Sequence, residues 1–85
     1  MGFHRINEGE VVSDAGYRIR IGHSRVTYFE RGVAVPLDAE HMADGVLVIY
    51  GVPTEAGLDA PERTRVLRNV QDGLSFLGVR FEMGT

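Results

Sequence analysis

From Tyr17 to Ile21 apolar and polar residues alternate strictly, which predicts a β-strand with Tyr17, Ile19 and Ile21 on one face and Arg18 and Arg20 on the other. Arg25 to Glu30 repeats the pattern, with Val26 and Tyr28 inward and Thr27 and Phe29 outward. A two-residue Gly22-His23 turn between them sets Arg20 opposite Arg25, whereas a loop from Gly22 to Arg25 sets Arg20 opposite Thr27 and Ile21 opposite Val26. Like charges facing each other across a ladder are unfavourable, so the longer loop is expected. Arg31-Gly32 then forms a tight turn into Val33–Leu37, pairing Tyr28 with Val35, Val26 with Leu37 and Phe29 with Ala34. Pro36 has no N–H to donate and puts this strand at an edge, or ends its pairing there. Asp38 to Gly45 is polar and reads as a loop or one short helical turn. Val46 to Tyr50, apolar at every position, reads as a central strand with neither face fully in water. Phe3 to Ser13 carries Ile6, Val11 and Val12 in a weaker pattern broken at Gly9. It reads as one edge strand, followed by a turn at Asp14-Ala15-Gly16.

After Asp59 the period changes from two to that of a helix. Asp59 is an N-cap in sequence, with Pro61 in the first turn and Glu62 at the third helical position. Val66, Leu67, Val70, Leu74 and Leu77 line one side, and Gly78 stands where a left-handed residue ends the helix. Val79 to Met83 alternates again and returns the chain as a strand. Gly73 falls on the apolar side of the helix, although glycine weakens a helix by about 1 kcal/mol relative to alanine. One explanation is close approach to the sheet, over Tyr17, Tyr28 or Phe81; the other is that the position carries no constraint. The order is β-β-β-β-β-α-β: an α+β fold with a mainly antiparallel sheet of five or six strands and one C-terminal-half helix on one face.

Length and composition narrow the function classes. Eighty-five residues make a single domain, 1–85, with a modest core. The absence of cysteine excludes disulfides, thiolate nucleophiles and Cys-type zinc sites, and is compatible with a reducing compartment. No apolar run approaches the roughly 20 residues of a membrane span, and Met1 to Arg5 lacks the apolar stretch of a signal peptide, so a cytoplasmic location is expected. The basic residues are all arginines, and the formal charge of -3 gives no general attraction to nucleic acid or anionic lipid, while suiting a basic partner.

Motifs for catalysis are sparse. His4, His23 and His41 fall in separate segments without metal-ligand spacing, and Ser13, Ser24 and Ser75 lack a nucleophile motif. No glycine pattern cradles phosphate. Glu30 and Glu40 form an acid/base pair only if the fold brings them together. Arg63, Arg65 and Arg68 read as a solvated helix face, with Arg68 placed to pair with Asp72. No catalytic residue, metal or cofactor is expected.

One helix covers one face of the sheet. The opposite face holds Phe29, Ala34 and Pro36, together with either Leu47 and Ile49 or Val46, Val48 and Tyr50, framed by Arg18 and Arg20. A polar rim around an apolar centre is the pattern of an interface. A partner, a second copy of the chain or the first strand folded across are the three candidate covers. The partner-contact residues expected on this reasoning are Arg18, Arg20, Phe29, Glu30 and Glu40, with Tyr50 in addition.

Tyr17-Arg18-Ile19-Arg20-Ile21, Val26 to Glu30, Glu40, Val46 to Tyr50, Arg65-Val66-Leu67-Arg68-Asn69-Val70 and Gly78 to Glu82 together resemble small bacterial immunity proteins of polymorphic toxin systems, nearest the group known as immunity protein 74. The resemblance spans most of the chain after Ala15. Where many members of that group carry Trp-Asp before the helix, this chain has Leu58-Asp59. The resemblance implies a cytoplasmic non-enzyme that binds a cognate toxin domain and occludes its active site. A homodimeric scaffold or regulatory domain, associating through the outer sheet face, is the alternative.

Overall fold

The computed structural model describes residues 2–22, 25–53 and 56–84. Seven strands, β1 (Phe3–Asn7), β2 (Glu10–Ser13), β3 (Tyr17–Ile21), β4 (Arg25–Glu30), β5 (Val33–His41), β6 (Leu47–Gly51) and β7 (Phe81–Met83), form one sheet in sequence order, and α1 (Ala60–Leu77) connects β6 to β7. Every pair is antiparallel except β6 and β7. The α+β class and the helix position agree with the sequence pattern; the strand count exceeds it.

The extra strand comes from the N-terminus. Phe3 to Ser13 is a hairpin rather than one strand, turning at Glu8-Gly9, with Phe3 opposite Ser13 and Arg5 opposite Val11. It lies in the plane of the sheet as its first two strands, not across the outer face. Two contacts hold it there: the Phe3 ring stacks on Phe76 of α1 at 5.2 Å, and the Arg5 guanidinium donates to the Leu77 carbonyl at 3.2 Å. The last turn of α1 has no basic residue of its own, so Arg5 supplies the cation that the negative end of the helix favours.

The expected registers hold across the middle of the sheet: Arg20 faces Thr27, Ile21 faces Val26, and Tyr28 faces Val35. The Gly22–Arg25 loop is closed by a hydrogen bond from the Gly22 amide to the Arg25 carbonyl at 2.7 Å; His23 and Ser24 within it lie outside the described residues. β5 runs on past Leu37, so the Asp38–Gly45 segment is not all loop. Its first four residues pair with β6, Asp38 opposite Gly51 through to His41 opposite Leu47. The polar stretch still forms a strand because Ala39 turns inward while Glu40 faces water, and the turn comes only at Met42–Val46. Pro36 pairs with Thr27 of β4, and the β6 ladder begins beyond it at Asp38. β6 is next to the edge rather than central: Leu47 and Ile49 are buried, while Val48 is half-buried and Tyr50 exposed on the other face.

On the inner face Ile19, Val26, Tyr28, Leu37, Leu47 and Ile49 pack against Val66, Val70, Leu74 and Leu77 of α1. Each such side chain contributes about 1.5–3 kcal/mol on burial, so the helix face and the sheet stabilise each other. The helix ends are closed as their residues predict. Asp59 accepts from the Glu62 amide at 2.9 Å, and Gly78, at φ 77°, brings the Val79 amide back onto the Leu74 carbonyl.

Gly73 marks where helix and sheet approach most closely. A Cβ there would fall on Ile19 Cδ1 and lie 3.4 Å from Val11 Cγ1. The close approach is over Ile19 and Val11, not over Tyr17, Tyr28 or Phe81. A methyl group in a filled core costs about 1–3 kcal/mol, and the gain in helix propensity returns about 1. Gly73→Ala should therefore lower stability in urea unfolding, whereas in an Ile19→Val background, where the clashing carbon is gone, the same change should raise it by about 1 kcal/mol. A destabilisation of the same size in both backgrounds would refute this packing account.

Candidate functional site: an arginine–phenylalanine platform on the open sheet face

The alternation of β3 and β4 sends Arg18, Arg20, Thr27 and Phe29 to the face away from α1, and the register sets Arg18 opposite Phe29. The Arg18 guanidinium carbon lies 4.4 Å from the Phe29 ring centroid and that of Arg20 lies 5.0 Å away, so one ring is held by two cations. Each contact of this kind is worth about 0.5–1 kcal/mol at an exposed site, and here it also fixes two long side chains that would otherwise be mobile. Glu10 of β2 approaches Arg18 Nε at 3.2 Å, yet that buried nitrogen makes no well-aligned hydrogen bond. Among the described residues Arg20 has no carboxylate within ion-pairing distance. The cluster therefore keeps surplus positive charge in a chain whose net charge is negative.

Among the described residues no helix or strand lies over this face. Its apolar residues include Val12, Phe29, Ala34, Pro36, Val48 and Tyr50, separated by the arginines and Thr27, so it is a mixed surface rather than a greasy one. At one margin Pro53 and Ala56, from the connection before α1, line a recess with Arg25, Ala34, Pro36 and Asp38. At the end of the sheet a shallow groove runs from Val12, Arg18 and Phe29 to Arg31 and Gly32 in the β4–β5 turn. Arg31 there has φ 54°, a left-handed conformation that side chains rarely adopt.

The other expected contact residues lie elsewhere. Glu40 and Tyr50 share the outer face but form a separate pair on β5 and β6, the Tyr50 hydroxyl donating to Glu40 Oε1 at 2.9 Å. That bond to a carboxylate raises the Tyr50 pKa above its ordinary value. The Tyr50 ring lies against Gly84, where a Cβ would be 2.6 Å from Tyr50 Cδ1. Glu30 borders the groove, but its carboxylate does not join the platform. Strand parity turns it to the helix side, where its carboxylate takes hydrogen bonds from Arg65 at 2.9 and 3.1 Å and from the Tyr28 hydroxyl at 2.9 Å. Asn69 completes the chain by donating to the Tyr28 oxygen at 2.9 Å. Glu30 and Glu40 thus sit on opposite faces of the sheet and cannot act on one substrate together.

Partial burial pushes the Glu30 carboxyl up, but the hydrogen bonds from Arg65 and Tyr28 and the charges of Arg65 and Arg31 outweigh it and hold the pKa below the usual carboxylate value. Burial raises the Tyr28 pKa, as does its bond to Glu30, against an opposing bond from Asn69. A carboxylate locked in its ionised form is a poor general base near neutral pH. Its visible work is to tie β4 to α1. Arg65 is therefore not a free solvated residue, and Arg63 likewise donates to the Leu58 carbonyl at 2.9 Å; Arg68 and Asp72 form no ion pair. Of the Leu58-Asp59 pair, Leu58 packs against the core and Asp59 caps the helix.

Among the described residues no three His, Cys, Asp or Glu side chains converge on a metal-sized site, and no helix is long and apolar enough to cross a membrane. His4 lies 3.8 Å from Asp14, and His41 meets the Gly22 carbonyl at 3.2 Å. Compared with known proteins, the chain matches no family model, no curated protein and no solved structure.

Glu30→Gln should lower stability by about 1 kcal/mol at pH 7, because the Arg65 pairing is only partly shielded from water. The contribution has a defined pH window. A carboxyl whose folded pKa is depressed stabilises fully above its unfolded value and loses that stabilisation as pH falls through the folded one. Urea titrations should therefore show the gap between the wild type and Glu30→Gln closing between about pH 5 and pH 3. A gap unchanged at pH 3 would show that Glu30 acts through packing alone.

Proposed function

We propose that this chain is a non-catalytic binding protein that acts in the cytoplasm by docking the sheet face opposite α1 onto a bacterial toxin domain and occluding its active site, as small immunity proteins do. The observation that carries this reading is Phe29, half-buried and contacted by both Arg18 and Arg20, on a face that no other element covers among the described residues. Aromatic and arginine side chains fixed in advance make good interface anchors, because little conformational freedom is left to lose on binding. Glu40 and Tyr50 extend the contact toward β6. The overall charge of -3 steers a cationic toxin domain from a distance, with affinity coming from the anchors at close range.

A second reading has one observation in its favour. The outer face is divided, with arginines on β3 and β4 and the carboxylates Asp38 and Glu40 on β5, so a second copy turned about an axis parallel to the strands would bring opposite charges together. Size-exclusion chromatography separates the two readings: a monomer supports the first and a tight dimer the second.

The direct test is co-expression with the product of the adjacent upstream reading frame, scored by rescue of growth and by co-purification. Phe29→Ala should weaken capture at least tenfold, a loss of about 1.4 kcal/mol or more, while Glu30→Gln, on the other face, should leave capture unchanged. If the upstream product is harmless and no complex forms, or if Phe29→Ala captures as well as wild type, the proposal is wrong.

A further inference from the structure

We infer that the surface received by this face is a cluster of carboxylates on the partner protein, gripped by Arg18, Arg20 and Arg31 around Phe29. The inference rests on the docking reading above and adds the chemistry of what is docked. Three observations meet at one end of the sheet. Arg18 and Arg20 both lie on Phe29, and among the described residues only Arg18 has a carboxylate, Glu10, within ion-pairing distance. Arg18 Nε is turned inward to Glu10 Oε2 at 3.2 Å, while the side chain as a whole stays 43% exposed. Arg31 lines the same groove as Arg18 and Phe29.

Arg31 is the least expected of the three. It occupies the first position of a two-residue hairpin turn at φ 54°, followed by Gly32 at φ 77°, where asparagine or glycine is strongly preferred. A side chain with a Cβ is strained there, and among the described residues Arg31 forms no ion pair. Glu30 beside it feels the Arg31 charge, but both its oxygens are hydrogen-bonded by Arg65 and Tyr28 and none of those bonds comes from Arg31. A strained backbone position kept by a side chain that asparagine or glycine would suit better is a mark of function.

Guanidinium groups in a fixed arrangement match carboxylates through paired N–H donors, and a ring beneath them keeps the cations flat and partly dehydrated. The net charge of -3 does not oppose this, since charges are screened over about 8 Å at physiological ionic strength and the local arginines dominate at contact. A cationic toxin domain with carboxylates in its catalytic centre fits both scales: its outside is drawn to the acidic chain and its active site to the arginines.

The probe is an eight-residue peptide of alternating Asp and Glu, titrated into the full chain with amide and arginine side-chain resonances followed by NMR. Its Asn/Gln counterpart, inorganic phosphate and a short single-stranded oligonucleotide run as controls. The acidic peptide should shift Arg18, Arg20, Phe29 and Arg31 and leave Glu40 and Tyr50 unmoved. Binding should weaken with added salt, and three- to tenfold in Arg20→Gln, a change that avoids setting a second carboxylate opposite Glu10. Arg31→Asn should separate function from folding by binding more weakly while unfolding at higher urea than wild type. Equal binding of the neutral peptide, phosphate or the oligonucleotide would overturn the inference, as would unchanged binding in Arg31→Asn. So would sedimentation showing a dimer that Arg20→Gln dissolves, because a second copy would then occupy the face. Should the upstream gene product lose binding in Phe29→Ala but not in Arg18→Gln, Arg20→Gln or Arg31→Asn, the docking face stands and the carboxylate inference falls.

Discussion

The close seating of α1 on β2 and β3 is the constraint from which the rest of the structure follows. Without a Cβ at Gly73 the helix backbone comes down onto Ile19 and Val11, and that distance lets Val66, Val70, Leu74 and Leu77 reach a continuous layer of sheet residues. Among the described residues no second element does the same for the other face. The sheet is consequently two different surfaces: an inner one that supplies stability and an outer one released from that task.

The outer surface can present charge because the inner one is self-sufficient. Arg18 and Arg20 alternate with Tyr17, Ile19 and Ile21 along a single strand, so the residues that anchor β3 in the core also hold the arginines in register beside Phe29. The polar links on the inner side serve the scaffold. Arg65 to Glu30 and Asn69 to Tyr28 fasten the helix to β4, and Arg5 to Leu77 fastens it to β1. Ionised groups on the two faces therefore have different work, although they look alike in the sequence. Glu30 is saturated and structural, whereas Arg20, although opposite Glu10 on the neighbouring strand, makes no ion pair among the described residues.

Much of this was legible from residue order because it follows from local rules. Period-two alternation placed the inward residues of β3 and β4, repulsion between Arg20 and Arg25 selected the loop that joins them, and Asp59 and Gly78 marked the ends of α1. The failures came where partners are distant. Gly9 looked like a flaw in one strand because nothing nearby shows that Phe3 will stack on Phe76. Asp38 to His41 looked like loop because the strand that pairs with it arrives only after the next turn. Leu58-Asp59 could be read locally as a cap but not as a core contact.

The sequence by itself determined the class of fold, the faces of β3 and β4 and the limits of the helix, since each depends on neighbours a few residues apart. Only the tertiary structure decided that the N-terminal hairpin lies beside the sheet instead of over it, that Arg65 reaches Glu30, and that two arginines close on one phenylalanine. Those arrangements depend on how far helix and sheet approach and on which strands meet. Both are set by packing between residues far apart along the chain, which no local pattern encodes.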